Sequence, residues 1–417
     1  MKALVYDISS PRWICTKLAS FVSSEACFGS LSGLRLKDLP RPELPGSDWV
    51  RLKTILGGVC GTDLALLLLR NHPCTILQQF ARFPAVLGHE NVATIDAVGS
   101  NVSGWEIGQR VCADPAIGCE GRGIDPPCSQ CSAGRSSVCE APGDHNFPPR
   151  SLLGINGRTG GSWAGYFLAH QSQLHAVPKD VPDEIAVLVD PIASAAHTVL
   201  RRRPADGESI LVNGSGIIAL GVIASIRALG HDNTMTAVVR HPFQERLARE
   251  MGATHVLRMP RSMRRIDRYR AVAEDTCGHR LDGRLGNQAL LGGYDLTYEC
   301  TGTGPGFGFA LSWTRARGTV VAVGTTGITM LDTTPIWFDE QVVIGTSGRQ
   351  IEDLDGRTRH TYEIVLGWIA EGRLDLSKLS VRRFPLEQYR SALSALTHRS
   401  RAPIIKAVFD PHGPVDR

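Results

Sequence analysis

The sequence predicts an α/β protein in which a β-rich domain is interrupted by a doubly wound domain with a parallel sheet. Two observations support this prediction. The first half of the chain contains short runs rich in β-branched residues and bounded by turn formers, whereas strand and helix patterns alternate from about Ile192. After about Trp337 the composition returns to mixed character. With 417 residues, the chain is long enough for two or three domains.

The β-rich part is predicted from the runs KALVY, WVRLKTI, NVATIDAVG and GQRVCA. Each is short, rich in strand-forming residues and flanked by Gly, Pro, Asp or Asn. Segments of this kind are typical of antiparallel sheets. We therefore expect a mainly antiparallel domain, with a helix at EIVLGWIAEG in its C-terminal part.

The alternating part begins with ESILVNGSG, a strand that enters a glycine turn, followed by the apolar helix IIALGVIASIRALG. TMTAVVR is the next strand, and PFQERLAREMGA is a helix with proline at its start. HVLR, YDLTYECTG and GTVVAVG continue the series. Alternating strands and helices predict a parallel, doubly wound sheet.

Composition excludes several classes of protein. Hydrophobic residues make up 42% and charged residues 21% of the chain, which are globular values. A net charge of +4 is too weak to indicate a nucleic-acid partner. The longest uncharged apolar stretch, residues 214–226, is too short to span a bilayer, and the N-terminus has no signal-peptide pattern. We expect a cytoplasmic protein with no nucleic-acid or membrane partner.

Two stretches lengthen the chain between predicted elements, residues 7–33 and residues 260–293. The second begins in an arginine-rich run. A nucleic-acid patch is one interpretation, but no aromatic stacking platform accompanies the arginines. A solvated, arginine-rich helix face is the expectation.

A glycine turn joins the strand SILVN to the following helix. Gly214 permits a tight turn, Gly216 lets backbone N–H groups approach a pyrophosphate, and Ala219 allows close packing of helix on strand. The helix N-terminus supplies the positive end of its dipole. The predicted cofactor-binding residues of this turn are Gly214, Ser215, Gly216, Ile217 and Ile218.

The next strand ends in Val239, Arg240 and His241, without a carboxylate. An acidic residue at this position would bind the ribose hydroxyls of NAD. Arg240 can instead pair with a 2′-phosphate through its planar guanidinium. The sequence therefore predicts NADP in preference to NAD.

The chain has 11 cysteines, an odd number in a protein too large to need a disulfide scaffold. Cys128, Cys131 and Cys139 lie in a Pro/Gly-rich loop, with Cys119 nine residues before the first of them. The spacing of these four cysteines predicts a structural zinc site bound by four thiolates. The alternative is that they are reduced thiols without a metal ion. We expect the six cysteines without a motif to be buried apolar residues: Cys15, Cys27, Cys74, Cys112, Cys277 and Cys300.

A second set of metal-binding residue types is dispersed over three segments: GVCGTD around Cys60, GHE around His89, and VDP around Asp190. One cysteine, one histidine and one carboxylate are suitable zinc ligands, and three protein ligands leave a position for a substrate oxygen. Spacing alone does not bring the three segments together. Each taken singly is also compatible with an ordinary structural residue.

Taken together, these segments resemble the zinc-containing medium-chain alcohol dehydrogenase superfamily. GVCGTD, FPAVLGHE, the cysteine-rich loop, VDPIASAAHTV, GSGIIALG, YECTG and GTVVAVG occur in the order typical of that superfamily. The resemblance implies a GroES-like catalytic domain in two pieces around a Rossmann NAD(P)-binding domain, assembled as homodimers or homotetramers. The expected boundaries are 1–191, with the structural zinc loop at 119–139, then 192–337, then 338–417.

The resemblance also implies roles for individual residues. Cys60 and His89 match zinc ligands, and Asp190 stands where relatives carry a third ligand. Glu90 matches a glutamate that lies close to the metal and in some relatives ligates it. The two remaining matches are Thr62, which takes the alcohol proton, and Asp63, which orients the zinc histidine.

The sequence departs from the family pattern at two positions. Ala65 replaces a histidine that in many relatives passes the proton to solvent, so another group or water must complete the relay. Asp125 replaces the first cysteine of the structural loop, so either Cys119 substitutes for it or the site is altered.

The predicted activity is the zinc-dependent interconversion of an alcohol and a carbonyl compound, with hydride transfer to or from NAD(P). Polyol- and sugar-specific relatives favour a secondary alcohol. One alternative is NADPH-dependent reduction of a polarised C=C or C=N bond on the same fold. Another, from a different class, is a catalytically silent binding or structural protein.

Overall fold

A computed structural model describes residues 1–398 and 403–414, and the chain separates into two units. The first unit contains Met1–Ala193, Gly348–Ala370 and Leu379–Arg417. The second contains Ser194–Ser347 and Glu371–Lys378. None of the helices in the described ranges has the length and hydropathy needed to span a membrane.

Helices and strands are numbered in chain order. Those that begin before residue 194 are β1 (Lys2–Tyr6), α1 (Ser10–Ser20), β2 (Leu34–Asp38), β3 (Trp49–Gly58), α2 (Gly61–Leu67), β4 (Ala85–Val86), β5 (Asn91–Val98), β6 (Arg110–Ala113), α3 (Ser129–Ser132), β7 (Tyr166–His170), β8 (Leu174–Ala176), α4 (Asp183–Ala186) and α5 (Val189–Arg201). Those of the middle stretch are β9 (Ile210–Asn213), α6 (Ile217–Ala228), β10 (Met235–Val239), α7 (Pro242–Glu250), β11 (His255–Arg258), α8 (Arg265–Thr276), β12 (His279–Asp282), β13 (Gln288–Leu291), β14 (Tyr294–Glu299), α9 (Gly304–Trp313), β15 (Thr314–Ala322), α10 (Thr334–Phe338) and β16 (Val342–Gly345). The last are β17 (Ile351–Leu354), β18 (Arg357–His360), α11 (Thr361–Ala370), β19 (Val381–Pro385), α12 (Tyr389–Thr397) and β20 (Lys406–Asp410). Short 3₁₀ helices lie at Ser24–Phe28, Ile76–Phe80, Glu120–Arg122, Ser136–Val138, Gln171–Gln173, Arg284–Gly286 and Leu386–Gln388.

The first unit is built on a seven-stranded sheet in the order β19-β20-β3-β5-β6-β8, with β7 also paired to β3. Its pairs are antiparallel except for β19 with β20. A smaller sheet of order β2-β1-β4 accompanies it. The indole of Trp163 packs edge-on against Phe409, with ring centroids 5.0 Å apart in the core. This unit confirms the predicted β-rich domain.

The second unit contains a six-stranded parallel sheet of order β11-β10-β9-β14-β15-β16. Renumbered from its own first strand, this order is 3-2-1-4-5-6, the arrangement of doubly wound dinucleotide-binding sheets. A helix separates each strand of this sheet from the next one along the chain: α6, α7, α8, α9 and α10. The predicted doubly wound domain is confirmed.

The two extra stretches have structure of their own. Residues 7–33 form α1 and the Ser24–Phe28 helix, whose Cys27 and Phe28 join the core with Leu64 and Leu67 of α2. Residues 260–293 contain α8 and the β12–β13 hairpin. The first stretch therefore supports the helix whose first turn carries Thr62.

The expectation that all six cysteines without a motif are buried is wrong for three of them. Cys27 and Cys112 are buried and Cys300 is partly buried, but Cys15, Cys74 and Cys277 are exposed. Cys15 lies on α1 in the first extra stretch, and Cys277 ends α8 in the second. Cys27 of the same first stretch packs into the core with Leu64 and Leu67, so burial in these segments depends on which side chains face the core.

Candidate active site and metal centres

Cys60, His89 and Glu90 come together in the first unit. One ligand atom from each, a sulfur, a ring nitrogen and a carboxylate oxygen, lie within 4.8 Å of one another. Cys60 immediately precedes α2, and His89 and Glu90 immediately precede β5. A thiol, an imidazole and a carboxylate match the donor types that zinc prefers, so these residues fit a zinc ion.

Asp63 connects two of these ligands. One of its oxygens accepts a hydrogen bond from the Cys60 backbone N–H at 2.9 Å, and the other lies 3.5 Å from His89 Nδ1. Burial opposes protonation of His89, but Asp63 and Cys60 outweigh it and hold the pKa of His89 well above its usual range. The sequence predicted this orienting contact for Asp63 from the family resemblance.

Glu90 forms a buried ion pair with Lys406 on β20. Both carboxylate oxygens lie 2.7 Å from the ammonium nitrogen, which also donates to the Val59 carbonyl oxygen at 3.1 Å. A Cβ on Gly58 would lie 2.1 Å from a Glu90 oxygen, so the absence of a side chain there makes room for the carboxylate. Burial raises the pKa of Glu90, and the Lys406 ammonium acts against that rise.

Asp190 is not part of the three-residue group within 4.8 Å. The carboxylate is buried in its own set of contacts, where Tyr362 donates a hydrogen bond to one oxygen at 2.5 Å and Arg349 pairs with the other. Burial disfavours a charged Arg349, but Asp190 outweighs it and raises the pKa of the guanidinium above its usual range. Both oxygens of this predicted ligand are engaged by protein groups, as are those of Glu90, so what distinguishes Asp190 is that it lies outside the group around Cys60 and His89.

Thr62 lies in the first turn of α2, two residues after Cys60, and is exposed. This placement leaves the threonine accessible to solvent in the helical turn that follows Cys60. Ala65 lies one turn further along the same helix. Its methyl group carries no ionisable proton, so the helix offers no relay group at this position.

Cys119, Cys128, Cys131 and Cys139 form a second group, with all four sulfur atoms within 4.8 Å of one another. Sulfur–sulfur distances are 3.7 Å from Cys119 to Cys139 and 3.9 Å from Cys128 to Cys139. Four thiolates about 2.3 Å from a tetrahedral zinc ion would lie about 3.8 Å apart. The cysteines therefore fit a closed zinc site, and Asp125 is not one of the four residues.

Backbone amides support this cysteine group. Cys128 N–H donates to Cys119 Sγ at 3.3 Å, and Glu140 N–H donates to Cys128 Sγ at 3.4 Å. Burial acts against the thiolate of Cys128, but hydrogen bonds, including those of the Cys131 and Glu140 backbones, lower its pKa to about 6. Ionised sulfur is the form that binds metal.

The glycine turn lies in the second unit, between β9 and α6. Gly214 has φ +139°, a conformation that other residues rarely adopt, and Gly216 caps the N-terminus of α6. A Cβ on Gly216 would meet no atom within 4 Å, so the backbone there is open to a ligand. Ser215, Ile217 and Ile218 complete the turn and the first helical residues, and Ala219 is fully buried. This geometry fits a pyrophosphate.

Arg240 follows β10 directly and is exposed. Gln244 Oε1 accepts hydrogen bonds from the backbone N–H groups of Arg240 and His241, at 3.2 and 3.1 Å. The Gln244 amide in turn donates to the Ser215 carbonyl oxygen at 3.2 Å. Gln244 therefore links the segment that carries Arg240 and His241 to the glycine turn by hydrogen bonds.

Three residues of the site were missed by sequence reasoning: Lys406, Arg349 and Tyr362. Lys406 carried a usable signal, because a lysine within the apolar run IIKAVF is unusual for a buried strand. Arg349 and Tyr362 lie in no motif that the sequence analysis used. Their contacts with Asp190 depend on a fold that brings distant segments together.

Two family models match successive parts of the chain. Residues 46–179 match the alcohol dehydrogenase GroES-like domain, and residues 218–371 match the zinc-binding dehydrogenase family. An L-threonine 3-dehydrogenase from Anaeromyxobacter sp. (strain Fw109-5) is 28% identical over 86% of this chain and 91% of its own length.

Two solved structures are similar over most of the chain. A putative zinc-binding dehydrogenase from Sinorhizobium meliloti 1021, bound to NADP, is 25% identical with a TM-score of 0.67, over 91% of this chain and 96% of that one. Galactitol-1-phosphate dehydrogenase from Escherichia coli has a TM-score of 0.69 at 22% identity, over 99% and 100%. The second likeness bears on the fold alone.

Proposed function

Because this chain belongs to the zinc-type medium-chain alcohol dehydrogenase superfamily and is an oxidoreductase acting on CH–OH groups, we propose that it interconverts a secondary alcohol and a ketone with zinc and NADP. The observation that carries the proposal is the group formed by Cys60, His89 and Glu90. The fold supplies the second requirement, a glycine turn that fits a dinucleotide.

The residues of the first unit have distinct roles in this proposal. Cys60, His89 and Glu90 would hold the zinc ion, and Asp63 would fix the orientation of His89 through its Nδ1. When bound, zinc supplies a Lewis acid for the substrate oxygen, and the nicotinamide supplies a hydride acceptor. Thr62 accepts the proton of the substrate hydroxyl, and the missing relay group at Ala65 leaves water as the route onward.

The preference for NADP is supported by the position of Arg240, an exposed residue directly after the second strand of the parallel sheet. No carboxylate stands at the end of that strand to bind ribose hydroxyls. The similar dehydrogenase from Sinorhizobium meliloti was solved with NADP. We expect a higher kcat/KM with NADP than with NAD.

A secondary alcohol is supported by the threonine 3-dehydrogenase relative, whose name places its reaction on the hydroxyl of a secondary carbon. The four-cysteine loop is proposed to hold a second, structural zinc ion, since its four sulfur atoms all lie within 4.8 Å of one another. That ion would brace the loop of residues 119–139 without an open coordination position.

Replacing Cys60 by Ser tests the proposal on zinc-loaded protein, with a panel of secondary alcohols and the absorbance of reduced nicotinamide as readout. We expect turnover to fall by at least about a hundredfold with unchanged circular dichroism, because the thiolate that fixes the catalytic metal is lost. Cys15→Ser, at an exposed cysteine remote from both groups in sequence, is the matched control. Unchanged turnover in zinc-verified Cys60→Ser protein would refute the zinc role.

The same assay separates the proposed reaction from reduction of a C=C or C=N bond. With deuterium-labelled NADPH, the label should arrive on the carbinol carbon of the product. Label found on a former alkene or imine carbon would favour the alternative chemistry. No turnover with any carbonyl or alkene, together with no nicotinamide binding, would favour a non-catalytic protein.

A homodimer or homotetramer is also proposed. β16 is the edge of the parallel sheet, and Val342 and Val343 on it are exposed, as are Trp337 and Phe338 of α10. An unpaired edge strand with apolar side chains is suited to pairing with a second copy. Light scattering of Val342→Lys protein should show dissociation, whereas Ile107→Lys, at an exposed apolar residue of the first unit, should not.

A further inference from the structure

The arginine-rich run that opens the second extra stretch is mostly exposed, as expected, but its arginines differ in their partners. Two of its arginines, Arg264 and Arg270, pair with Asp267 at 2.8 and 3.3 Å. A third, Arg265, contacts the Tyr269 hydroxyl and the Asn287 side chain at 3.4 and 3.3 Å. These three guanidiniums are therefore occupied within the stretch itself.

Arg268 and Arg261 are differently placed. Arg268 is half-buried and donates hydrogen bonds to the carbonyl oxygens of Met263 and Pro260, at 3.1 and 2.6 Å. Its guanidinium is thereby anchored to the turn that follows β11. Arg261 lies within that turn, is exposed, and makes no hydrogen bond or ion pair with any residue of 1–398 or 403–414.

Both arginines lie at the same edge of the sheet as Arg240. β10 and β11 are parallel neighbours in which Val239 is opposite Arg258, and Met259 N–H donates to the Val239 carbonyl oxygen at 2.7 Å. The segments that leave the two strands therefore start side by side. Burial and the positive charges of Arg261 and Arg268 together lower the pKa of Arg240.

This arginine cluster (Arg240, Arg261 and Arg268) has an excess of positive charge without a carboxylate partner in the described part of the chain. Like charges held together at a folded site repel, and a bound anion relieves that repulsion. The cluster is connected to the cofactor turn through Gln244, which bonds both the Arg240 backbone and the Ser215 carbonyl oxygen. An anion bound here would lie next to a dinucleotide seated on the turn.

We propose that Arg240, Arg261 and Arg268 together bind the 2′-phosphate of NADP, so that part of the specificity for this cofactor comes from the extra stretch at 260–293. The inference rests on the proposed use of NADP and adds two residues to it. A phosphate monoester has three acceptor oxygens, and guanidinium forks form short, charge-assisted hydrogen bonds with them. The three arginines come from the segment after β10, the turn after β11 and helix α8, and can contact the group from different sides.

The test is calorimetric binding of two fragments to the zinc-loaded protein, adenosine 2′,5′-bisphosphate and 5′-AMP, which differ only in the 2′-phosphate. We expect the bisphosphate to bind the wild type more tightly. Arg261→Met and Arg268→Met should each weaken bisphosphate binding roughly tenfold or more, while 5′-AMP affinity stays unchanged. Unchanged 5′-AMP affinity also reports an intact glycine turn.

Arg264→Met is the matched control, because the Arg264 guanidinium is committed to Asp267. It should leave the affinities of both fragments unchanged. Arg261→Met is the cleaner of the two variants, since removing an exposed side chain without hydrogen bonds should not alter the fold. Arg261→Lys should keep part of the affinity for the bisphosphate, because lysine supplies the positive charge but not the planar, two-donor geometry of the guanidinium.

Two failures are distinguishable. If Arg240→Met weakens bisphosphate binding but Arg261→Met and Arg268→Met do not, the NADP preference stands and the role of the extra stretch is wrong. If the wild type binds both fragments equally, the proposed preference for NADP is refuted. The proposed 2′-phosphate site formed by the three arginines is then refuted as well.

Discussion

Glu90 and Lys406 form an ion pair inside the first unit, with both carboxylate oxygens 2.7 Å from the ammonium nitrogen. The two residues are 0% and 1% exposed, so neither charge is solvated by water. Since Glu90 also lies beside His89 and Cys60, the pair places a carboxylate and the ammonium that neutralises it next to the candidate metal site. Removing one partner would leave the other charged in a dry environment.

Lys406→Met should lower the free energy of unfolding by about 3–5 kcal/mol, because an uncompensated buried carboxylate is strongly destabilising. Urea denaturation of zinc-loaded protein measures this change. Adding Glu90→Gln to the same chain should restore part of the loss, since the unpaired charge is then gone.

Arg383→Met provides the control for that comparison, because Arg383 and its partners Glu184 and Asp410 are all partly exposed to solvent. Exposed pairs contribute roughly 0–1 kcal/mol. Equal effects of Lys406→Met and Arg383→Met on the free energy of unfolding would show that burial does not strengthen the Glu90–Lys406 pair.

Zinc content should distinguish Glu90 from Asp190 as the carboxylate ligand. Since a Glu90 oxygen lies within 4.8 Å of the Cys60 sulfur and a His89 ring nitrogen, whereas Asp190 is not in that group, Glu90→Gln should weaken catalytic zinc binding more than Asp190→Asn. Asp190→Asn should mainly lower stability, by about 3–5 kcal/mol, because buried Arg349 loses its counter-charge. Metal analysis after dialysis against a weak chelator, combined with urea denaturation, measures both effects. Greater zinc loss in Asp190→Asn would restore Asp190 as the ligand.

The stabilisation conferred by catalytic zinc should increase with pH. In metal-free protein the raised pKa of His89 means that its protonated form stabilises the fold fully below about pH 6.5, the usual unfolded value, and that this contribution is lost as pH rises through the folded pKa. Zinc requires the neutral imidazole and therefore competes with the proton. The zinc-induced rise in Tm, measured from acidic to alkaline buffer in the Cys119→Ser background, should grow with pH. A rise independent of pH would count against coordination by His89.

Cys119 should prove to be the fourth ligand of the structural site. Cys119→Ser should reduce the zinc content from about two ions per chain to about one, because a closed tetrahedral thiolate site loses a ligand. Asp125→Asn should keep both ions, since Asp125 is not one of the four grouped residues. Elemental analysis of purified protein gives the stoichiometry. Zinc loss in Asp125→Asn with retention in Cys119→Ser would reverse the assignment.

Several features of the fold and site could be predicted because they depend on local sequence. The strand runs and the Gly214–Gly216 turn are encoded by residues close together in the chain, and the clustered cysteines of the 128–139 loop need little more than a loop to meet. Motif order extended this to Cys60 and His89, which lie 29 residues apart. The exposed positions of Cys15 and Cys277 were missed because composition does not show which side chains of a segment face the core.

The sequence by itself determined the fold class, the glycine turn, the two sets of metal-binding residue types and the arginine at the end of the second parallel strand. Only the tertiary structure decided their partners. Lys406 reaches Glu90 across 316 residues of chain, and Arg349 reaches Asp190 across 159. It also separated the arginines paired with Asp267 from the two whose positive charges lower the pKa of Arg240. The physical reason is that periodicity and spacing act over a few residues, whereas the pairing of buried charges depends on which segments the packed sheets bring together.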